Sequence, residues 1–188
     1  MDINGARVLV AGATGALGAA LTAEPVRQGA RPAIAGRDRS RLSRISGAHP
    51  GVPTVLFDAY DPASCARAAG VAVGELGGLD AVVTAFGTVA ERPQPGMADY
   101  SASKAALGAW LDAVRREARG SGIRVLDNRP GHLNTGFADR AVTSTAPPMP
   151  PGGDPDRLVG AVVTAPATDA ERVRTAPDGE PVVERRAR

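Results

Sequence analysis

Apolar residues gather in short continuous runs separated by helix-length stretches of mixed character. The runs fall at residues 7–11 (RVLVA), 32–35 (PAIA), 55–57 (VLF), 80–84 (DAVVT) and 123–126 (IRVL). Continuous rather than alternating runs suit strands buried on both faces. The clearest helical spacing starts at Tyr100, where Leu107, Trp110, Leu111 and Val114 form an i, i+3, i+4, i+7 stripe that predicts a core-facing side. That helix is expected to end at Gly120-Ser121-Gly122, a C-cap region. A helix over residues 16–28 contains Pro25, which predicts a kink or an early stop, because an interior proline costs about 3 kcal/mol. Asp154-Pro155-Asp156 reads as a helix start running to about Ala165, with Asp as N-cap and Pro at the first helical position. Strand–helix alternation predicts an α/β fold, a doubly wound parallel sheet in three αβα layers.

The remaining segments are punctuation. Residues 146–155 (APPMPPGGDP) read as a flexible, exposed loop. Residues 168–188 read as a tail, in which Asp178-Gly179 favours a hairpin turn and the final ERRAR is expected to fray.

At 188 residues the chain is long enough for one domain with a sizeable core, so residues 1–188 are read as a single domain. Net charge is +2, too balanced to imply nucleic acid or an anionic membrane surface as partner. The single Cys, Cys65, excludes a disulfide framework or a Cys-based metal site and is expected to be a small core residue. No signal-peptide pattern and no run near the ~20 apolar residues of a membrane span is present, so the chain is expected to be soluble and cytoplasmic.

Chemistry first shows in residues 10–18 (VAGATGALG). Gly12, Gly15 and Gly18 form a GxxGxxG turn directly after a strand and at the start of a helix. Glycine lets backbone approach a phosphate closely, and the helix N-terminus offers free N–H groups and a favourable dipole end. The second strand ends Ala35-Gly36-Arg37-Asp38. In a dinucleotide-binding fold that place faces the adenosine ribose, and an Arg there accommodates a 2′-phosphate. Arg37, with Arg39 and Arg41 near, favours NADP over NAD.

Residues 100–104 read YSASK. Of 22 basic residues Lys104 alone is Lys, and Tyr100 is one of two Tyr. Four residues apart on a helix, the two side chains share a face. A phenol has an ordinary pKa of about 10, and an adjacent ammonium favours the phenolate. Lys is a compact three-donor cation, for which planar Arg is no equivalent.

Together AGATGALG, GRD, Phe57-Asp58, YSASKAAL and RPGHLNT resemble the short-chain dehydrogenase/reductase family, in order, from Arg7 to about Phe137. The resemblance implies a Rossmann-like fold, a nicotinamide cofactor and hydride transfer between a carbonyl and a secondary alcohol. It implies that Tyr100 exchanges a proton with the substrate oxygen, and that Lys104 holds the nicotinamide ribose and tunes Tyr100. It gives Gly12, Thr14, Gly15, Leu17 and Gly18 to the pyrophosphate and adenosine, and Asp58 to the adenine. Gly87, at the end of the fourth strand, joins the cofactor set, and Pro130, Gly131 and Thr135 contact the nicotinamide end.

Two departures stand beside these matches. The Asn-Asn-Ala-Gly stretch usual after the fourth strand is replaced by Thr84-Ala85-Phe86-Gly87, and the family's middle glycine falls at Ala16. Between Gly87 and Tyr100 stands only TVAERPQPGMAD, where members carry a helix and a strand; a strand–helix–strand unit needs about 30 residues. One strand–helix unit therefore reads as missing, and with it the catalytic Asn and Ser. Thr84 and Thr88 are the nearest hydroxyls to replace the Ser. His132 beside the Pro-Gly turn is either a loop residue or faces the cofactor. The expected function is an NADP(H)-dependent oxidoreductase acting on a small carbonyl or alcohol. The alternative is a catalytically impaired NADP(H)-binding relative with a binding or regulatory role. A homo-oligomer is compatible with either.

Overall fold

The computed structural model describes residues 1–85, 98–121, 123–136 and 151–185. The chain divides into two compact units, Met1–Phe86 and Gly87–Arg188.

The first unit alternates strand and helix: β1 (Arg7–Ala11), α1 (Ala16–Arg27), β2 (Arg31–Gly36), α2 (Arg39–Ala48), β3 (Thr54–Leu56), α3 (Pro62–Leu76) and β4 (Ala81–Thr84). Its four strands are parallel in the order β3-β2-β1-β4. Alternation along each strand serves both faces. Leu9, Ala11, Ala33, Ala35, Val55 and Phe57 pack with Ala68, Ala72 and Leu76 of α3. Val8, Val10 and Ile34 cluster with Leu42 of α2. Double winding thus follows from strands apolar on both sides. Helix starts are capped as their sequences specify. Asp38 accepts from the Ser40 and Arg41 N–H groups at 2.9 and 3.1 Å. Asp61 accepts from Ala63 N–H at 2.9 Å, with Pro62 in the first turn of α3.

Three local expectations change in this unit. Helix α1 runs through Pro25 and ends at Arg27; Pro25 sits in the last turn, where its missing N–H removes a single hydrogen bond. Among the described residues β4 pairs only with β1, and Val82 is 55% exposed rather than buried. Cys65 is exposed on α3, not a core residue, because the buried side of that helix is taken by Ser64, Ala68, Ala72 and Leu76.

The second unit comprises α4 (Ala98–Glu117), β5 (Asp127–Arg129), α5 (Pro155–Thr164), a 3-10 turn (Ala165–Ala167), β6 (Ala170–Thr175) and β7 (Pro181–Arg185). Strand β6 is central, parallel to β5 and antiparallel to β7. The segment read as a tail therefore supplies the middle of a sheet. The hairpin at Asp178-Gly179 forms, with Gly179 at φ +87° and Ala176 N–H donating to the Glu180 carbonyl at 2.8 Å. The α5 start also forms, Asp154 accepting from Asp156 N–H at 2.8 Å. Leu158, Val159 and Val163 of α5 are buried, as is Val173 of β6.

The fifth strand is displaced from residues 123–126 to Asp127–Arg129. Ile123 is 65% exposed, and the Val125 carbonyl accepts from Arg115 Nε at 3.2 Å instead of a strand neighbour. Trp110, expected in a core stripe, is 60% exposed. In the loop read from 146 to 155, residues 146–150 lie outside the described residues. Gly153 bridges to Leu133, and Pro155 already belongs to α5. Of the frayed end, residues 186–188 lie outside the description, while Glu184 and Arg185 are in β7.

At the N-terminal end of β1, Arg7 grips Asp80 through Nε at 2.8 Å, Nη2 at 2.6 Å and its own N–H at 2.9 Å, and reaches the Gly77 carbonyl at 2.8 Å. The Arg7 side chain, by hydrogen bonding first, holds the Asp80 carboxyl far below the usual carboxylate range. A carboxyl depressed in the folded state stabilises above its unfolded pKa of about 3.9 and loses that contribution as pH falls through the folded value. Urea titrations from pH 6 down are therefore expected to show an acid-dependent loss of stability below about pH 4 that is smaller in Asp80→Asn. Equal acid slopes in the two proteins would refute the linkage.

Candidate functional site

In the first unit the chain winds outward from β1 through β2 to β3, then returns to the other side of β1 for β4. Such a reversal opens a crevice at the carboxyl ends of the strands, the usual ligand position in open α/β sheets. The glycine-rich turn is built there. Gly12 takes φ +87°, a left-handed conformation that favours glycine. Gly12 and Ala13 N–H groups both donate to the Ala35 carbonyl, at 2.9 and 3.1 Å, tying the turn to β2. A Cβ on Gly18 would stand 2.2 Å from the Gly12 carbonyl oxygen, so α1 starts against the turn as only glycine allows. Gly15 is the N-cap of α1, is extended and supplies no side-chain cap. The leading N–H groups of α1 are thus left for a ligand. This cradle fits a phosphate.

The same edge gathers the adenosine-side candidates. Gly36 ends β2, and a Cβ there would meet the Thr14 methyl at 2.8 Å, so Thr14 packs tightly on the β2 end. Arg37 follows, exposed. The next residue is an acid, but Asp38 is occupied as the cap of α2. The Ser40 hydroxyl, then the Arg41 N–H, keep its carboxyl below the usual range. Asp58 follows β3, with its N–H donating to Ser64 Oγ at 3.0 Å and its carboxylate accepting from Tyr60 N–H at 3.0 Å. The first unit therefore brings Gly12, Thr14, Gly15, Leu17, Gly18, Arg37 and Asp58 onto one sheet edge.

The second unit holds Tyr100 and Lys104. Both lie on α4, with Lys104 Nζ 5.3 Å from the centre of the Tyr100 ring, within cation–π range. Burial lowers the Lys104 pKa. A polar face of α4 continues from Tyr100 at spacings of four and three: Lys104, Gly108, Asp112 and Arg115. Gly108 is buried. Arg115 pairs with Asp112 and donates to the Val125 and Glu171 carbonyls at 3.2 and 3.1 Å. Sequence reading missed these seating residues, although the four-residue period that joins Tyr100 to Lys104 also reaches them.

Past β5 comes the Pro130-Gly131 turn. Gly131 N–H donates to Thr175 Oγ1 at 3.1 Å, so β6 fixes the turn. Leu133 is buried, Thr135 N–H donates to the Leu133 carbonyl at 2.7 Å, and His132 is half-buried. Gly87 and Thr88 lie outside the described residues; Thr84 ends β4 opposite Ala11. Among the described residues no group of three or more His, Cys, Asp or Glu side chains could hold a metal ion, and no helix is long and apolar enough to cross a membrane.

Comparison with known proteins bears on these motifs. The short chain dehydrogenase family profile matches residues 86–145, which include Tyr100 and Lys104. The uncharacterized oxidoreductase YbbO of Escherichia coli K12 is 53% identical over 45 residues, 24% of this chain and 17% of that protein. Over residues 86–145 the chain is similar to the short-chain dehydrogenase family. Its matched stretch is about a sixth of the length of the curated relatives. Solved structures agree on the fold. A short-chain dehydrogenase from Streptomyces avermitilis superposes with TM-score 0.75 at 19% identity, covering 93% of this chain and 90% of its own. Hydroxysteroid dehydrogenase from Escherichia coli gives TM-score 0.69 at 15% identity, covering 86% and 88%. A dehydrogenase/reductase from Sinorhizobium meliloti 1021 gives 0.64 at 21% identity, covering the same shares.

The close start of α1 is testable. Gly18→Ala is expected to destabilise the protein by about 1–3 kcal/mol through backbone overpacking. Gly47→Ala, in α2 with nothing within 4 Å of a new Cβ, is expected to be neutral or mildly stabilising. Chemical denaturation of both variants checks the contrast.

Proposed function

We propose that this chain is a member of the short-chain dehydrogenase/reductase family that binds NADP(H) and interconverts a small carbonyl compound and a secondary alcohol. The observation that carries the reading is the Tyr100–Lys104 pair, a phenol with the chain's single Lys 5.3 Å from its ring centre.

The glycine turn fits the pyrophosphate. Gly12, Thr14, Gly15, Leu17 and Gly18 would hold it, with Arg37 meeting the 2′-phosphate and Asp58 the adenine. Engagement of Asp38 as a helix cap supports NADP over NAD, since that carboxylate is committed elsewhere. Gly87, Pro130, Gly131 and Thr135 would line the nicotinamide end. When bound, the nicotinamide supplies or accepts hydride. Lys104 holds a ribose hydroxyl and its positive charge favours the phenolate form of Tyr100. Tyr100 donates its phenolic proton to the carbonyl oxygen in reduction and takes a proton from the alcohol in oxidation.

A second reading has its own observation. Only residues 85–97 separate β4 from α4, too few for the ~30 of a strand–helix–strand unit. A chain that lost that unit, with its Ser and Asn, would bind NADP(H) and catalyse little. Loss of one electrostatic stabiliser of that kind costs about 10²–10³ in rate.

Calorimetric titration is expected to show NADPH binding tighter than NADH, with Arg37→Ala removing most of the difference. Across a carbonyl panel, Tyr100→Phe should lower kcat by about 10²–10⁴ while NADPH still binds. Binding without turnover by the parent would favour the second reading. No binding of either dinucleotide would overturn both.

A further inference from the structure

Tyr100, Lys104 and Gly108 follow one another at four-residue spacing along one face of α4. Gly108 is the point where the helix rests on β5. A Cβ at 108 would stand 2.7 Å from one Arg129 guanidinium nitrogen and 3.3 Å from its carbon. Arg129 is held in turn. Its Nε donates to Asp127 Oδ2 at 2.6 Å, and the Asp127 side chain is fully buried. Asp127 and Arg129 stand two apart on β5, hence on the same face of the sheet. Arg172 Nε, on the neighbouring strand, lies 3.6 Å from the same carboxylate oxygen, and Asp127 Oδ1 has no hydrogen-bond partner. Arg129 also directly precedes the Pro130-Gly131 turn that Thr175 fixes. One guanidinium is thus wedged between the helix that carries Tyr100 and Lys104 and the strand that leads into Pro130 and Gly131.

We propose that Arg129, clamped by Asp127 and seated on Gly108, is a positioning residue that sets how closely α4 rides on β5, and thereby where Tyr100 and Lys104 stand. This rests on the catalytic role given to that pair above. It differs from an ordinary packing contact because the wedge is charged. A buried carboxylate fixes the guanidinium, so it cannot yield as an apolar side chain would. An Arg held this way also differs from Lys, whose point charge lacks the planar fork. Gly108 is required not by backbone conformation, since it sits within a regular helix, but by the space Arg129 fills.

The lone Lys supplies a probe. Protein labelled with 13C-lysine gives one lysine side-chain resonance, that of Lys104, in the full chain without ligand. Gly108→Ala is expected to move that resonance, because the new methyl must displace Arg129. Melting should fall only modestly, because the preference of a helix for alanine over glycine offsets part of the crowding against Arg129. Activity should fall by about 10-fold to 10²-fold in kcat with KM for NADPH little changed, as for a misplaced catalytic group. Arg129→Gln is also expected to move the resonance. Gly108→Ala with Arg129→Gln should recover part of the loss, since the shorter side chain leaves room for the methyl. A Lys104 resonance unmoved in Gly108→Ala, or losses that simply add in the double variant, would overturn the proposal. If the parent neither binds NADPH nor reduces a carbonyl, the proposed function fails on its own, and the resonance still decides whether Arg129 positions Lys104.

Discussion

The first unit is organised by one close approach, that of α1 to the turn that follows β1. A Cβ on Gly18 would fall 2.2 Å from the Gly12 carbonyl oxygen. The absence of that single atom lets the helix begin directly over the end of its strand. The approach aims the N-terminus of α1 at the carboxyl edge of the sheet. It also leaves the leading N–H groups unspent, because Gly15 brings no side chain to cap them. The same turn is tied sideways to β2 through the Ala35 carbonyl, and Thr14 closes against Gly36. Phosphate-binding capacity and the packing of β1, β2 and α1 are therefore one geometric fact.

The second unit has two unlike interfaces. Its α5 contributes Leu158, Val159 and Val163 to the interior near Val173 of β6, an apolar contact of the ordinary kind. Its α4 meets the sheet with Gly108, Asp112 and Arg115 against Arg129 and the Val125 and Glu171 carbonyls. Apolar contacts are non-directional and let a helix slide, whereas hydrogen bonds from a guanidinium to fixed carbonyls set distance and register. A helix whose chemistry depends on where two side chains stand gains definition from the second kind of contact. Its Trp110 is left 60% exposed as a consequence.

Most of the first unit was legible in the sequence because each element carries its own signal. Continuous runs marked β1 to β3 within a residue. The glycine turn, Arg37 and Asp58 could be placed because strand ends in a parallel sheet share one edge. The second unit was harder to read, and the reason is physical. Periodicity reports which residues are apolar, not which face is covered. In α4 Leu107, Leu111 and Val114 of the apolar stripe are half-buried but Trp110 is exposed, and buried Gly108 carries no apolar signal. Strand β5 reads Asp-Asn-Arg, which no apolar pattern would find; its Asp127 pairs with Arg129 on the same strand and with Arg172 on β6. The hairpin at Asp178-Gly179 was found from turn chemistry, while the centrality of β6 depends on its pairing with distant β5 and has no local mark.

The short passage from β4 to α4 sets what chemistry the chain can support. Proton exchange needs a phenol and a cation that favours its ionised form, and Tyr100 and Lys104 lie four residues apart on one helix. Holding the substrate oxygen in place is a separate task and needs a donor from elsewhere. Thr84, at the end of β4, is the described hydroxyl nearest in sequence to where that donor would come from. A chain can lose the donor and keep the pair, because the two reside on different elements with independent supports. Retention of a clamped Arg129 beneath a helix that did no chemistry would be hard to explain, since a buried Asp127 with an unmatched oxygen is a cost that an apolar seat would avoid. The polar seat of α4 therefore weighs toward a helix whose exact placement still matters to function.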